Sequence, residues 1–467
     1  MENKPKNLWK KVDFNKHQLH VTISTIDSTT ESEDADERIV YMEDLEKRKQ
    51  AYGICGECNE PGTGWRWCQP CNAKRFKDNF KNWTSGNKVI DEFIQQSQLN
   101  AVYCSKYLEW IPFEKFQNIT YIAEGGFGKI YSAEWPGGYI LYWDIKNQKW
   151  YRNHDDKYAL KNLNNSSISS DFLNEIKSHL QIHLRDVVPC NGITQDPNTK
   201  EYMMVLDYCE NGNLRNYLNK SEEYIYYQSK IDKLQQIARG LLDIHIAEKV
   251  HKDFHSGNIL FDYSPFISDL GMCQPANKKS VKEEGIYGVL PYMAPEVLRG
   301  HQYTKAADIY SFGMTVKICK GQRPKISEDV PRLLADLIVK CWDAEIENRP
   351  TTKELYQLLT KWNDEINKII NSEDSKNSED SEIYSQIKVS DEIGEKKFES
   401  RSSKDRSKNI QTHPQAIYTS RLLNFKNLPK PVNSSDLSSC QINSDANYAI
   451  QSILANPKPA LKILYTY

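Results

Sequence analysis

The chain has 467 residues, and its 61 basic and 63 acidic side chains leave a formal net charge of −2. So balanced a charge gives no electrostatic footprint for nucleic acid or a membrane surface, and no apolar run approaches the length of a membrane span. The opening Met1-Glu2-Asn3-Lys4-Pro5-Lys6-Asn7-Leu8-Trp9 lacks a signal-peptide core, and the 11 cysteines, an odd number in a long chain, suit a reducing cytoplasm better than a disulfide framework.

Residues 1–45 read as mostly disordered, because Thr25 to Glu37 is dominated by Ser, Thr and acids that cannot bury enough apolar area to offset chain entropy. Residues 46–100 form a separate module. Cys55-Gly56-Glu57-Cys58 and Cys68-Gln69-Pro70-Cys71 are two Cys-x-x-Cys hooks, able to place four thiolates on one tetrahedral Zn²⁺ at about 2.3 Å each. Reduced structural cysteines or a redox pair are the other readings. With no histidine and no open ligand position, a metal here is structural. Pro61-Gly62-Thr63-Gly64 signals a turn, and Trp65 and Trp67 can cover the site. Helix follows from Ala73 to Asn100. Phe76, Phe80 and Trp83 recur at helical spacing, and Val89, Ile90, Phe93 and Ile94 resume it after Ser85-Gly86-Asn87. Two amphipathic helices packed on the cysteine unit explain this. The same stretch, 73–100, also reads as a docking surface for a partner or for the domain that follows. Residues 101–112 are a connector.

From residue 113 the motifs carry chemistry. Ile122-Ala123-Glu124-Gly125-Gly126-Phe127-Gly128-Lys129-Ile130 is a Gly-rich strand–turn–strand that lets backbone approach phosphates closely. An aromatic insertion over about 134–157 reads as an extended hairpin turning around Asp144 to Gln148. Tyr158-Ala159-Leu160-Lys161 then offers a strand lysine, and Glu175, in Phe172-Leu173-Asn174-Glu175-Ile176-Lys177, is the carboxylate that a following helix would bring to it. In Val250-His251-Lys252-Asp253-Phe254-His255-Ser256-Gly257-Asn258, Asp253 and Asn258 stand five apart on a loop. One can face a hydroxyl while the other helps hold a metal. Asp269, in Asp269-Leu270-Gly271, adds a harder oxygen ligand, as phosphoryl transfer requires. Ala294-Pro295-Glu296, Asp308-Ile309-Tyr310-Ser311-Phe312-Gly313 and Asn348-Arg349-Pro350 complete the series.

In this order the landmarks resemble the eukaryotic protein kinase family over residues 113–362. The wording around His255 to Leu260 and Gly288 to Glu296 is most similar to its tyrosine-kinase-like (TKL) group of serine/threonine kinases, and especially to expanded fungal families. The resemblance implies an α+β, bilobal protein-kinase fold, with a β-rich N-lobe and a helical C-lobe, preceded by the small four-cysteine zinc-binding module and its helices and flanked by disordered ends. It implies ATP and Mg²⁺ as cofactors, protein substrates, and a role in intracellular signalling. Asp253 would orient the acceptor hydroxyl and take its proton. Lys161, held by Glu175, would neutralise the α/β-phosphates, and Asn258 and Asp269 would bind Mg²⁺. Ala123, Gly125, Phe127 and Gly128 would line the phosphate loop. Adenine would lie between Ile122, Ile130 and Ala159 above and Leu260 below. Its edge would face the backbone of Asp207 to Cys209, with Leu206 as gatekeeper. Glu296 and Arg349 would form a buried ion pair.

Several departures accompany the resemblance. Ala123 replaces the first loop glycine, Leu270 replaces a phenylalanine, and His255 stands where a lysine is common. Lys252 replaces an arginine that clamps a phosphorylated activation loop bidentately, so control by phosphates on Ser280 or Tyr287 is expected to be weaker. Near 316–320 the text shortens, as if an interior segment of the C-lobe were deleted, which should expose apolar surface. This deletion motivates an alternative, an ATP-binding pseudokinase or scaffold. Residues 363–467 repeat Asn-Ser-Glu-Asp-Ser from Asn371 and Asn377 and read as a disordered Ser/Asp/Glu/Lys-rich tail.

Overall fold

The computed structural model describes residues 8–13, 16–23, 38–125, 128–154, 157–162, 170–182, 186–276, 286–318, 328–371, 381–400 and 420–423, with Leu428 and Asn433. Much of 8–45 departs from the expected disorder. Leu8–Trp9 pairs antiparallel with Gly53–Ile54, and Val12, Val21 and Val40 bury against Ala51, Tyr52 and Val102. Three β-branched side chains in a polar stretch suffice to seat it.

Helix α1 (Leu45–Tyr52) is capped by Asp44, whose carboxylate accepts from Lys47 N at 2.9 Å. Its Arg48 donates to the carbonyls of Met42, Pro61 and Gly62, fixing the turn between the cysteine hooks. Helix α2 (Gln69–Asn79) begins on the second hook, with Cys68 at the N-cap and Pro70 in the first turn, where its missing N–H leaves no helical bond unmade. Helix α3 (Lys88–Asn100) starts at Asn87, whose side chain accepts from Val89 N and Ile90 N.

Among the described residues, six strands form the sheet of the upper lobe. They are β1 (Glu109–Trp110), β2 (Gln117–Gly125), β3 (Gly128–Glu134), β6 (Lys157–Asn162), β7 (Cys190–Gln195) and β8 (Tyr202–Asp207), in the order β1-β7-β8-β6-β3-β2. Only β1 and β7 run parallel within this sheet. The aromatic insertion makes its own hairpin, β4 (Ile140–Asp144) with β5 (Lys149–Arg152), around the expected turn. Helix α4 (Ser170–Gln181) packs Phe172 and Ile176 on the sheet.

The N-terminal module is built onto this lobe. Ile90 and Ile94 of α3 pack with Phe172 and Ile176 of α4 and with Cys190, Ile193 and Met204 of the sheet. Trp67, Phe76, Tyr107 and Ile140 share a second cluster. Glu57 between the first two cysteines pairs with Arg75 and accepts from Trp143 Nε1 at 3.2 Å, tying the hairpin to the hooks. Of the readings of residues 73–100, docking on the domain that follows is the one that the contacts of Ile90 and Ile94 bear out.

The lower lobe comprises α5 (Leu214–Lys220), α6 (Tyr227–Ile246), the hairpin β9 (Ile259–Phe261) with β10 (Pro265–Ile267), β11 (Ile286–Gly288), α7 (Pro295–Leu298), α8 (Lys305–Ile318), α9 (Arg332–Cys341) and α10 (Thr352–Asn371). Leu355, Leu359, Trp362 and Ile366 make one buried stripe of α10 against α6. Residues 319 and 320 of the apparent deletion lie outside the described residues. The expected apolar exposure on α8 is absent where it is described, since Ile309, Tyr310, Phe312 and Met314 are buried.

Part of the cover comes from the segment read as a disordered tail, and this corrects that reading. Residues 363–371 complete α10, and α11 (Glu382–Glu399) packs on α6, α9 and α10. Ser381 caps α11, Glu382 opens it and Lys396 and Lys397 close it, which matches the helix dipole. Ile383 and Ile387 enter the main core, Gln386 accepts from Leu333 N, and Asp391 accepts from Tyr224 OH and Tyr227 N. A further strand, β12 (Arg421–Leu423), pairs with β11.

Truncating a fully buried isoleucine removes its transfer energy and leaves a cavity. Ile387→Ala should therefore lower unfolding free energy by about 2–5 kcal/mol, while Lys388→Ala on the exposed face changes it little. Denaturant titration of the whole chain checks this, and equal midpoints for both variants would detach α11 from the core.

Candidate active site

The cleft lies between the two lobes. Strand β6 carries Lys161, and the register Lys161 opposite Ile130 and Met204 buries its stem in the sheet. Lys161 Nζ stands 2.7 Å from Glu175 Oε1 of α4 and 2.9 Å from Asp269 Oδ1. Burial disfavours this ammonium, but Asp269 and Glu175 outweigh the penalty and hold its pKa above the ordinary lysine value. For Asp269 burial acts upward and Lys161 pulls the balance below the usual carboxylate range. Glu175 goes the other way, raised by burial despite Lys161. Asp269 sits at φ +60°, a left-handed turn that aims it back at the lysine.

Asp253, His255 and Asn258, on one loop, gather below. Asn258 Nδ2 donates to the Asp253 carbonyl at 2.9 Å and to its Oδ2 at 3.2 Å. Asp253 is buried, yet the nearby His255 and the hydroxyl of Ser420 outweigh desolvation and keep its carboxyl below the ordinary range. His255 Nε2 lies 3.6 Å from Asp253 Oδ2, and its Nδ1 accepts from Gly257 N. The loop is anchored by Asp308. Its Oδ2 accepts from His251 N at 2.8 Å and faces His245 Nε2 at 2.9 Å, and its Oδ1 accepts from Lys252 N and Tyr303 OH. Lys252 sits at φ +68°, and its Nζ donates to Gln274 Oε1 at 3.3 Å. Of the two loop positions weighed with it, Tyr287 lies on β11 and Ser280 lies outside the described residues.

The roof of the cleft is a strand pair. Ala123 faces Ile130 across β2 and β3, with Gly125 opposite Gly128 at the hairpin end, next to Ile122. Gly128 adopts φ +140°, and a Cβ there would collide with the Asn162 carbonyl oxygen, so no side chain fits. Phe127 lies outside the described residues. Ala159 pairs with Leu206 between β6 and β8, Asp207 closes β8, and Cys209 follows, buried, its thiol pushed up to about 12 chiefly by burial. The N–H groups of Asp207 and Tyr208 are engaged by the carbonyls of Pro189 and Lys157. Leu260 lies on β9 below. Farther down, Arg349 grips Glu296 bidentately, Nη1 to Oε1 at 2.7 Å and Nη2 to Oε2 at 2.9 Å, as expected.

The four hook sulfurs of Cys55, Cys58, Cys68 and Cys71 all lie within 4.8 Å of one another. Asp308 was legible only as a landmark, without its role as anchor. Ser420 gave no signal at all, since it belongs to a tail whose composition reads as unfolded.

The family described as protein tyrosine and serine/threonine kinase matches residues 116–317. "Probable serine/threonine-protein kinase pats1" of Dictyostelium discoideum is 25% identical over 54% of this chain and 8% of its own length. "MDIS1-interacting receptor like kinase 2" of Arabidopsis thaliana is 30% identical over 44% of this chain and 19% of its own. "RGS domain-containing serine/threonine-protein kinase A" of Dictyostelium discoideum is 26% identical over 50% and 21%. The chain thus spans about a fifth or less of the length of these relatives. The matched segment carries Lys161, Glu175, Asp253, Asn258 and Asp269, and in it the chain holds a protein kinase domain.

Proposed function

We propose that the chain is an ATP-dependent protein serine/threonine kinase of the tyrosine-kinase-like type, acting in intracellular signalling. The observation that carries this reading is the contact of buried Lys161 with both Glu175 and Asp269, set above an ionised Asp253. Relatives named serine/threonine-protein kinases support the acceptor class.

In this reading Lys161 meets the α/β-phosphates of ATP and Glu175 holds it there. Ile122, Ile130, Ala159 and Leu260 enclose the adenine, and the segment Asp207 to Cys209 faces its edge. Asn258 has its amide nitrogen committed to Asp253, so its oxygen is the atom it offers beside Asp269. Such hard oxygens suit Mg²⁺, which when bound neutralises charge on the phosphates. Asp253 orients the acceptor hydroxyl and takes its proton. Lys252, already bonded to Gln274, makes a point contact rather than a bidentate clamp, which suits control that leans little on loop phosphorylation.

The cysteine cluster is proposed as a structural Zn²⁺ site. Four convergent soft donors fit that ion, and no open position remains for catalysis. Its position beside α2 makes its effect on the kinase lobe mechanical.

Two measurements check these readings. With Mg²⁺, ATP and a basic acceptor protein, Asp253→Asn should lower transfer by at least about 100-fold, the lower end for a general base. Equal incorporation by wild type and variant would overturn the assignment. Elemental analysis of the whole chain should find one zinc per molecule, and Cys68→Ser should lose it and melt earlier. A metal-free chain with the wild-type melting temperature would remove the zinc.

A further inference from the structure

We propose that Ser420 is this chain's own phosphoacceptor, presented to its catalytic aspartate by the β12 strand; the inference rests on the kinase reading above. Ser420 Oγ stands 2.6 Å from both Oδ1 and Oδ2 of Asp253. That is hydrogen-bond reach for a base and the proton it removes. Placement comes from the strand that follows. Arg421, Leu422 and Leu423 pair antiparallel with Gly288, Tyr287 and Ile286. The strand alternates as a half-buried strand should, with Leu422 exposed and Leu423 buried among Val289, Tyr292, Met293 and Val297. A further hold lies at Asn433, whose side chain accepts from Ala344 N at 2.9 Å and donates to Asp343 Oδ1 at 3.3 Å. Residues 420–423 are therefore placed with register, an apolar anchor and a hydroxyl on Asp253.

The step balances with ATP as the second substrate. The Ser420 Oγ–H bond breaks and its proton passes to the Asp253 carboxylate. Oγ forms a bond to the γ-phosphorus as the bond from that phosphorus to the β,γ-bridging oxygen breaks, and ADP departs with the electron pair. The product is a phosphoserine beside Asp253 and near Asp269, where like charges repel. The segment should then leave the cleft and free Asp253 for other hydroxyls. Before transfer, Ser420 competes with any external acceptor at the effective concentration of an attached group.

The test uses the purified full chain with Mg²⁺ and ATP, at protein concentrations spanning about 20-fold, beside a basic acceptor protein. Mass spectrometry should place phosphate on Ser420, with a first-order rate constant independent of protein concentration, and Ser420→Ala should lose that phosphate while still labelling the external protein. A rate that rises in proportion to protein concentration would mean transfer between copies and overturn the proposal. External labelling with Ser420 unmodified overturns it and leaves the kinase reading intact, whereas no labelling of either removes both. A readout without nucleotide stands beside these. Leu423→Asp should raise amide exchange at Ile286 to Gly288 by about tenfold or more, as expected when a local strand pair opens. Unchanged exchange would show that the strand does not occupy the cleft.

Discussion

Asp308 is fully buried, and its two oxygens face His251 N, Lys252 N, His245 Nε2 and Tyr303 OH. The geometry of the cleft floor depends on that carboxylate. Burial alone would favour its protonated form, but His245 and His251 outweigh this and hold its pKa low. Two successive backbone N–H groups are thereby fixed, which keeps Lys252 in its left-handed conformation and sends Asp253 toward the cleft. His251 extends the anchor, since Asp253 N donates to its Nδ1 and its Nε2 reaches the Ser268 carbonyl. Ser268, the residue beside Asp269, is thus tied to the loop that carries Asp253. Loss of one partner from such a buried charged network typically costs about 3–5 kcal/mol, and here it would also release the aim of Asp253.

The upper lobe answers the same need by different means. Glu175 must stay beside Lys161 although its Oε2 has no partner among the described residues and its surroundings resist charge. Side-chain pairing cannot hold α4 in place unaided. The N-terminal module adds the missing grip, with Ile90 and Ile94 against Phe172 and Ile176, and with Lys106 Nζ donating to the Ile182 carbonyl just past α4. Burial lowers the Lys106 pKa to about 7, the mark of an ammonium held where water would rather have it. Through α2, α3 and the β4–β5 hairpin, the cysteine cluster is mechanically continuous with the helix that positions Glu175.

Local chemistry explains what was readable beforehand. Lys161, Asp253, Asn258 and Asp269 sit in short motifs whose spacing itself encodes their geometry. The hairpin of 140–152 and the break before α3 were likewise announced by turn residues. What escaped detection depends on distant partners. In α11 the buried positions Ile383, Ile387, Ser390 and Gly394 recur three or four apart, but only two of them are strongly apolar. A composition average over Ser, Asp and Glu hides such a stripe. Gly394 is informative only beside Tyr224, whose hydroxyl would collide with an added Cβ. The pairing of β12 with β11 joins residues far apart in the chain, and no window of sequence contains both strands.

The two ordered pieces of that tail differ in how firmly they are held. Helix α11 inserts two isoleucines into the main core and is braced by Asp391, Gln386 and Lys397, whose Nζ pairs with Asp329 at 3.0 Å. Strand β12 has three residues and one buried side chain, Leu423. Burying one leucine contributes about 1.5–3 kcal/mol, an amount that a new phosphate charge beside carboxylates can offset. The firm element covers apolar surface that must remain covered. The weak one carries the hydroxyl on Asp253, and so slight a hold lets the segment leave that carboxylate.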